Sequence, residues 1–431
     1  MHSIASFALR IHQNEAWEEL CRELHSNGVT ADMIKAKKEE IFKVFRIATT
    51  MSSSGKTNNG STFQQQNPLR NGWATLDNAL QAPTLSATRA QYYVAALGSR
   101  TRGLTALHVA ASRGDLRVVE QLLEKATINV DTKAADGQTS IHLAAANGHT
   151  EVVKVLLDKG ADIHATTDSQ QTALHWAASG GHVEVVKVLL DKGADIHSTA
   201  DRQWSALHWA ARWGHAEVVK VLLDKGADIH STADRQWSAL HWAARWGHAE
   251  VVKVLLNKGA DVHATTDSQQ TALHWAARWG HVEVVKVLLN KGADIHATMY
   301  SQQTALHWAA SGGHVEVVKV LLGKGADIHS TTDWPWQWSA LHWAARWGHA
   351  EIVKVLLDKG ANIHAKTSFK WSALHWAASK GHVEVVKVLL EYGVNIEGKT
   401  IQRRTALDLA STQAIVRLLK VEAARITRAT P

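Results

Sequence analysis

The chain has 431 residues, 47 Lys+Arg against 40 Asp+Glu, and 45% hydrophobic residues, a balance that excludes wholesale disorder. Its one cysteine, Cys21, excludes a disulfide scaffold and suits a reducing intracellular compartment, cytoplasmic or nuclear. No apolar run approaches the ~20 residues that span a bilayer, residues 1–17 carry no secretory-signal pattern, and 19 Trp, 27 His and only 4 Pro point to one short unit copied many times.

Residues 1–48 carry two amphipathic patterns, 15–23 and 31–45, joined at Asn27-Gly28. Trp17, Leu20, Leu24, Met33, Ile34, Ile41 and Phe45 fall where two helices would pack on each other. So short a segment is marginal as an independent domain and is expected to dock, on a partner or on the rest of the chain. Residues 49–71, with Ser52-Ser53-Ser54-Gly55 and Gln64-Gln65-Gln66, read as a flexible linker. Residues 72–100 hold a helical pattern near 90–97 and suit a degenerate capping unit.

From 101 to 419 the chain is periodic. The string Thr-Ala-Leu-His or a close variant begins at Thr105, Thr139, Thr172, Ser205, Ser238, Thr271, Thr304, Ser339, Ser372 and Thr405, at spacings of 33 to 35 residues. Residues 198–230 and 231–263 differ only at Asp224/Asn257 and Ile229/Val262. In each unit the Ser or Thr caps a first helix, whose buried face holds Leu207, Ala210 and Ala211 in one example. Gly214 stops that helix in the left-handed region. A second helix follows with Val218, Val219, Leu222 and Leu223 as its stripe, and Gly226 ends it. Helices of ~10 residues cannot bury a core alone, so the units must stack. In the last unit Asp408 replaces the motif His, and residues 420–431 form a basic tail. Residues 101–392 hold 29 basic and 29 acidic side chains, so the net +7 lies in the two ends.

The motifs Thr-x-Leu-His-x-Ala-Ala (172–178), Gly-His-x-Glu-Val-Val (181–186) and Leu-Leu-x-x-Gly-Ala-Asp (189–195) resemble the ankyrin repeat. That resemblance implies an all-α solenoid of paired antiparallel helices. First helices would line a concave side, and hairpin loops would project from one edge. The family's Pro after the capping residue is Ala in nine units and Ser140 in the other. The family's hairpin glycine survives as Gly137, but elsewhere Gln170, Gln203, Gln236, Gln269, Gln302, Gln337, Lys370 and Arg403 stand there. Each either bears a left-handed penalty of ~1–2 kcal/mol or sits in another turn.

Twenty-four of the 27 histidines recur at the Leu-His, Gly-His and Ile-His places of the unit. Without cysteines or a four-ligand spacing they read as repeated structural hydrogen bonds rather than metal ligands. Neither a metal nor a cofactor is expected. The tryptophans fall in three classes. Trp176, Trp209, Trp242, Trp275, Trp308, Trp343 and Trp376 follow the motif His and are expected to pack between adjacent first helices. Trp213, Trp246, Trp279 and Trp347 pair with Arg212, Arg245, Arg278 and Arg346, positions that the resemblance points into the groove. Trp204, Trp237, Trp338 and Trp371 sit on the hairpins before the capping Ser. The hairpin 333–338 carries two extra residues and the array's only Pro. Its Trp334, Trp336 and Trp338 alternate on one side of an extended strand, with Tyr300, Phe369 and Trp371 at equivalent loops.

Trp and Arg are the residues enriched in binding hot spots, and the alternative is that each Arg braces a Trp within the array. The expected function is therefore a monomeric, non-enzymatic scaffold that binds a protein or peptide on its concave face and hairpin edge. No membrane association is expected. Nucleic acid is disfavoured as a partner because the array is neutral, which leaves only the basic ends for phosphate. An adaptor that recruits a second partner through residues 1–48 is the other alternative. Catalysis is disfavoured because residues 1–100 show no phosphate-cradling glycine loop, Ser-His-Asp arrangement or metal triad.

Overall fold

A computed structural model describes residues 103–124, 128–333 and 336–429. The helices expected within 1–48, the linker 49–71, the capping unit 72–100 and Trp334 lie outside the described residues. The chain divides after Asp195 into two compact units.

In the first unit, α1 (Ala106–Arg113), α3 (Ser140–Ala146) and α5 (Ala173–Gly180) are first helices, packed one on the next. The second helices α2 (Leu116–Leu123), α4 (Thr150–Asp158) and α6 (Val183–Asp191) form the layer behind them. The second unit repeats the plan. Its first helices are α7 (Ala206–Trp213), α9 (Ala239–Trp246), α11 (Ala272–Arg278), α13 (Ala305–Gly312), α15 (Ala340–Trp347) and α17 (Ala373–Lys380). Behind them run α8 (Ala216–Asp224), α10 (Ala249–Asn257), α12 (Val282–Asn290), α14 (Val315–Gly323), α16 (Ala350–Asp358) and α18 (Val383–Glu391), and α19 (Gln413–Ala429) packs on α18.

Each first helix begins at an extended Thr or Ser whose side-chain oxygen accepts from the backbone N–H three residues on. It stops where the chain must turn left-handed. Gly214 has φ 82°, and a Cβ there would lie 2.6 Å from Nδ1 of His248 in the following repeat. Glycine is required at that point by backbone and neighbour together. Leu207, Ala210 and Ala211 of α7 and Val218, Val219 and Leu222 of α8 are fully buried, whereas Leu223 is only half-buried. Burying a side chain such as Leu222 contributes ~1.5–3 kcal/mol, and the small Ala210 and Ala211 let neighbouring first helices approach closely.

The hairpins keep the family's backbone without its glycine. Gln170, Gln203, Gln236, Gln269, Gln302, Gln337, Lys370 and Arg403 all have φ between 47° and 61°. The left-handed alternative is the one adopted, because the residue closes a three-residue turn. Gln269 N–H donates to Thr266 O at 2.8 Å, and Thr266 N–H donates to Gln270 O at 3.0 Å. Two hairpins are regular enough to form paired strands, β1 (Thr199–Ala200) with β2 (Trp204–Ser205) and β3 (Thr232–Ala233) with β4 (Trp237–Ser238). In these, Arg202 and Arg235 are left-handed as well. Tip-to-tip bonds join successive loops, as from Asp267 N–H to Arg235 O and from Ile401 N–H to Phe369 O, both 3.1 Å.

The last repeat departs from the others. Asp408 Oδ2 accepts from the N–H and the hydroxyl of Thr405, both at 2.8 Å, so the carboxylate takes the place of the imidazole. Only turns follow at 406–409, and no first helix forms there. The chain then enters α19, which crosses the boundary expected at 419. Residues 420–429 are thus helical.

A left-handed Gln is a strained choice, so Gln236→Gly should stabilise the protein. Removing the steric cost of ~1–2 kcal/mol outweighs the added unfolded-state entropy of glycine, ~0.4–1 kcal/mol. The net gain, under ~1 kcal/mol, should appear as a higher urea midpoint. A lower midpoint would show that the Gln side chain stabilises the turn.

Candidate interaction face

The side chains of the first-helix face are oriented by a buried bracket. At the nine motif histidines from His108 to His375, Nδ1 lies 2.7–2.9 Å from the Oγ of the capping Thr or Ser. Nδ1 also accepts the capping residue's backbone N–H at 3.1–3.2 Å. A backbone N–H can only donate, so Nδ1 is unprotonated and the proton is on Nε2. Nε2 donates across to the next repeat, from His108 to Gln138 O, His241 to Gln270 O and His342 to Ala365 O, at 3.0–3.1 Å. Burial holds His142, His241, His307 and His342 down to about 4, and it lowers His108, His274 and His375 in the same direction.

The Gly-His imidazoles bond carbonyls at the end of the preceding repeat's first helix, His248 to Arg212 O, His281 to Arg245 O and His382 to Arg346 O, at 2.8–3.0 Å. The Ile-His residues differ. His164, His197, His230, His263, His296, His329 and His364 are exposed, unlike the first two classes. Among the described residues, no three His, Cys, Asp or Glu side chains converge as metal ligands. No helix there is long and apolar enough to cross a membrane.

The bracket sets the tryptophan that follows each motif His. Trp209, Trp242, Trp275, Trp308, Trp343 and Trp376 are buried or half-buried. The hairpin residues Trp204, Trp237 and Trp338 lie among them at 8% exposure or less, inside the stack rather than on the free edge expected for binding residues. Each is drawn in because the capping Ser beside it is tied down by the bracket. Trp204 stacks between Trp209 and Trp242 (centroids 4.7 and 4.5 Å), and Trp237 between Trp242 and Trp275 (4.4 and 4.6 Å). Trp338 repeats this with Trp343 and Trp376 at 4.7 and 4.4 Å. Trp371, half-buried, lies 4.3 Å from Trp376.

The arginines cover this stack. The Arg245 guanidinium is 5.5 Å from Trp237 and 5.1 Å from Trp275. Arg212 covers Trp204 and Trp242, Arg278 covers Trp308 at 4.6 Å, and Arg346 covers Trp338 and Trp376 at 5.2 and 4.9 Å. Burial, then Arg212 and Arg278 on either side, hold the pKa of Arg245 below the usual guanidinium range. The partner tryptophans of these arginines point outward. Trp213, Trp246, Trp279 and Trp347 are 47–53% exposed, on the face made by α7, α9, α11 and α15. Along the hairpins Tyr300, Trp336 and Phe369 are exposed, with Trp336 5.8 Å from Phe369.

Sequence reading missed one feature of this face. Where its neighbours carry Arg-Trp, α13 ends in Ser311-Gly312, and a cleft of about 530 Å³ opens there between Trp279 and Trp347. The break in the Arg-Trp series was the available signal.

Stacked two-helix repeats, each closed by the same cap and stop glycine, define a helical repeat solenoid. A family model for ankyrin repeats in sets of three matches residues 85–167, 161–233, 230–299, 297–367 and 360–429. The chain belongs to the ankyrin-repeat family. Ankyrin repeats are a non-enzymatic fold and serve generally as protein–protein interaction modules. Among solved structures, the human ASB11 ankyrin repeat domain is similar at 30% identity and a TM-score of 0.48, over 51% of this chain and 98% of that one. No curated protein matches the chain.

The bracket histidines generate a pH dependence. Burial holds His142, His241, His307 and His342 at about 4, below the ordinary 6.5, so between those values the unfolded chain binds more protons and stability rises with pH. As pH falls from 7 to 5 the urea midpoint should drop steeply, each of these four histidines contributing ~1.4 kcal/mol per pH unit below 6.5. Below about 4 the folded sites protonate too and the loss levels off. A flat midpoint would mean that the bracket tolerates imidazolium.

The arginines also have a structural test. Arg245→Ala uncovers several rings and should cost ~1–2 kcal/mol, more than Trp246→Ala at the half-exposed position. Paired urea melts decide it, and equal midpoints would show that Arg245 braces nothing.

Proposed function

We propose that this chain is a non-enzymatic scaffold whose second unit binds a protein or peptide along its first-helix face and hairpin edge. The observation that carries this is the repetition of exposed tryptophan beside arginine in α7, α9, α11 and α15. Large aromatic rings held half-exposed at repeat spacing are unusual on a surface without a partner, and Trp and Arg dominate binding hot spots. The ring-covering arginines also hold the outer tryptophans' surroundings rigid, which lowers the ordering cost of association.

The contact residues in this reading are Trp213, Trp246, Trp279 and Trp347, with Arg212, Arg245, Arg278 and Arg346 presenting charge beside them. Tyr300 and Trp336 extend the surface onto the hairpin edge. Trp204, Trp237 and Trp338 support it from beneath, and Trp371 lies at its margin.

Affinity capture with the intact chain, followed by titration of the captured partner, tests this. Trp246→Ala should weaken binding by ~2 kcal/mol, roughly 30-fold, with the thermal melt almost unchanged. A loss of folding that parallels the loss of binding would make the outer tryptophans structural and overturn the reading.

A further inference from the structure

The Arg-Trp pairs at Arg212-Trp213, Arg245-Trp246, Arg278-Trp279 and Arg346-Trp347 are interrupted once, at Ser311-Gly312. Deleting two large side chains from an otherwise continuous row leaves the cleft of about 530 Å³, walled by Trp279 and Trp347 and lined also by Trp308 and Trp343. That volume falls in the range of ligand-binding pockets. It is large enough for one bulky side chain with the backbone that carries it.

The lining decides the chemistry of the occupant. Four indole rings favour an aromatic or large aliphatic group. A cation is disfavoured, because the Arg278 guanidinium already lies over Trp308. Arg278 is also the only Lys, Arg, Asp or Glu that lines the cleft. Among the described residues none of the four ladder arginines has a carboxylate within ion-pair distance, whereas the second helices pair their lysines, as in Lys253–Glu250 and Lys286–Glu283. Among the described residues, the guanidinium groups of the first-helix face therefore stand without an ion-pair partner.

We infer that the break at Ser311-Gly312 is the anchor pocket for an acidic linear peptide. One aromatic or large aliphatic side chain seats between Trp279 and Trp347, and flanking carboxylates meet Arg278 and Arg346. This rests on reading the first-helix face as the binding surface and adds the identity of its ligand. A peptide suits the site better than nucleic acid for two reasons. Base stacking would be served by an unbroken row of rings, whereas a single deep break suits a single side chain. With 29 basic and 29 acidic residues in 101–392, the array also offers only a few local arginines, enough for flanking carboxylates but not for the extended phosphate contacts of nucleic acid.

Fluorescence anisotropy with the full chain tests this, using labelled peptides with a Glu-Glu-Trp-Glu-Glu centre. Controls replace every Glu by Gln, or the Trp by Ala, and a short oligothymidylate serves as the nucleic-acid probe. The acidic Trp peptide should bind, and each peptide control should bind at least about tenfold more weakly. Gly312→Trp fills the cleft with the residue that neighbouring repeats carry and should weaken the acidic peptide by about tenfold or more. Because a Cβ at Gly312 would lie 2.7 Å from the His314 ring, Trp347→Ala, at an exposed wall, provides a second variant and should weaken binding similarly. Lys253→Ala, on the second-helix layer and remote from both the cleft and the first-helix face, should change affinity less than twofold.

No binding of the acidic peptide, equal binding of the Gln control, or tighter binding of oligothymidylate would overturn the inference. So would wild-type affinity in both cleft variants. If the cleft variants are silent while Trp246→Ala weakens a captured partner, only the pocket assignment falls. If the captured partner is also insensitive to Trp246→Ala, the reading of the whole face falls with it.

Discussion

The rest of the structure depends on the neutral imidazole that ties a helix cap to the next repeat. Each first helix is only seven or eight residues long, too short to persist in water. The motif His makes its first turn and its neighbour's loop mutually dependent. Nδ1 accepts from the capping residue and Nε2 donates one repeat further on, as at His241 between Ser238 and Gln270. An imidazolium would set an N–H against the cap's N–H, losing that bond and leaving only the cap's hydroxyl oxygen to accept the new proton. Asp408, in the place of the motif His, can accept from the cap Thr405 but has no donor to reach a neighbour. That fits its place in the last repeat, where no first helix forms.

The aromatic stack follows from this bracket. With Ser205, Ser238 and Ser339 fixed as caps, the residue before each and the residue after each motif His are brought together across the repeat boundary. Tryptophan at both places fills that space. It leaves a cost as well, since the indole N–H groups of Trp209, Trp242, Trp275, Trp338, Trp343 and Trp376 are buried without an acceptor, while Trp308 reaches Gln303. An unmet donor costs ~1–3 kcal/mol, and tilted ring contacts with covering guanidinium groups offset it. Arginine is thus held to the stack by its flat face, with its charge at the surface.

How much of this was legible in the sequence depends on how local the physics is. Period, caps, stop glycines and the stripes of Val218, Val219 and Leu222 are determined within one unit and could be read directly. The conformation of Gln236 could not, because a turn with a residue at φ 60° is stabilised by its own closure and by the neighbouring hairpin. The exposure of Trp204 and Trp237 was read wrongly for a related reason: hairpin position suggests solvent, but the space they fill belongs to the adjoining repeat. The exposed Trp213 and Trp246 were legible because one helical position beyond the arginine faces outward in every unit. The cleft was hidden because it is made by what one repeat lacks.

In an array of near copies, affinity and register come from different residues. A partner lying along α7, α9 and α11 meets the same Arg-Trp pair in each helix, so sliding by one repeat would preserve most contacts. Only departures from the repeat can fix its position. Two such departures occur in succession: the Ser311-Gly312 break at the end of α13 and the lengthened hairpin that leads into α15. That hairpin presents Trp336 beside Phe369, both exposed, while the break opens between Trp279 and Trp347. The uniform ladder therefore supplies contact area and charge, and the irregular pair of repeats supplies the register that a uniform ladder cannot specify.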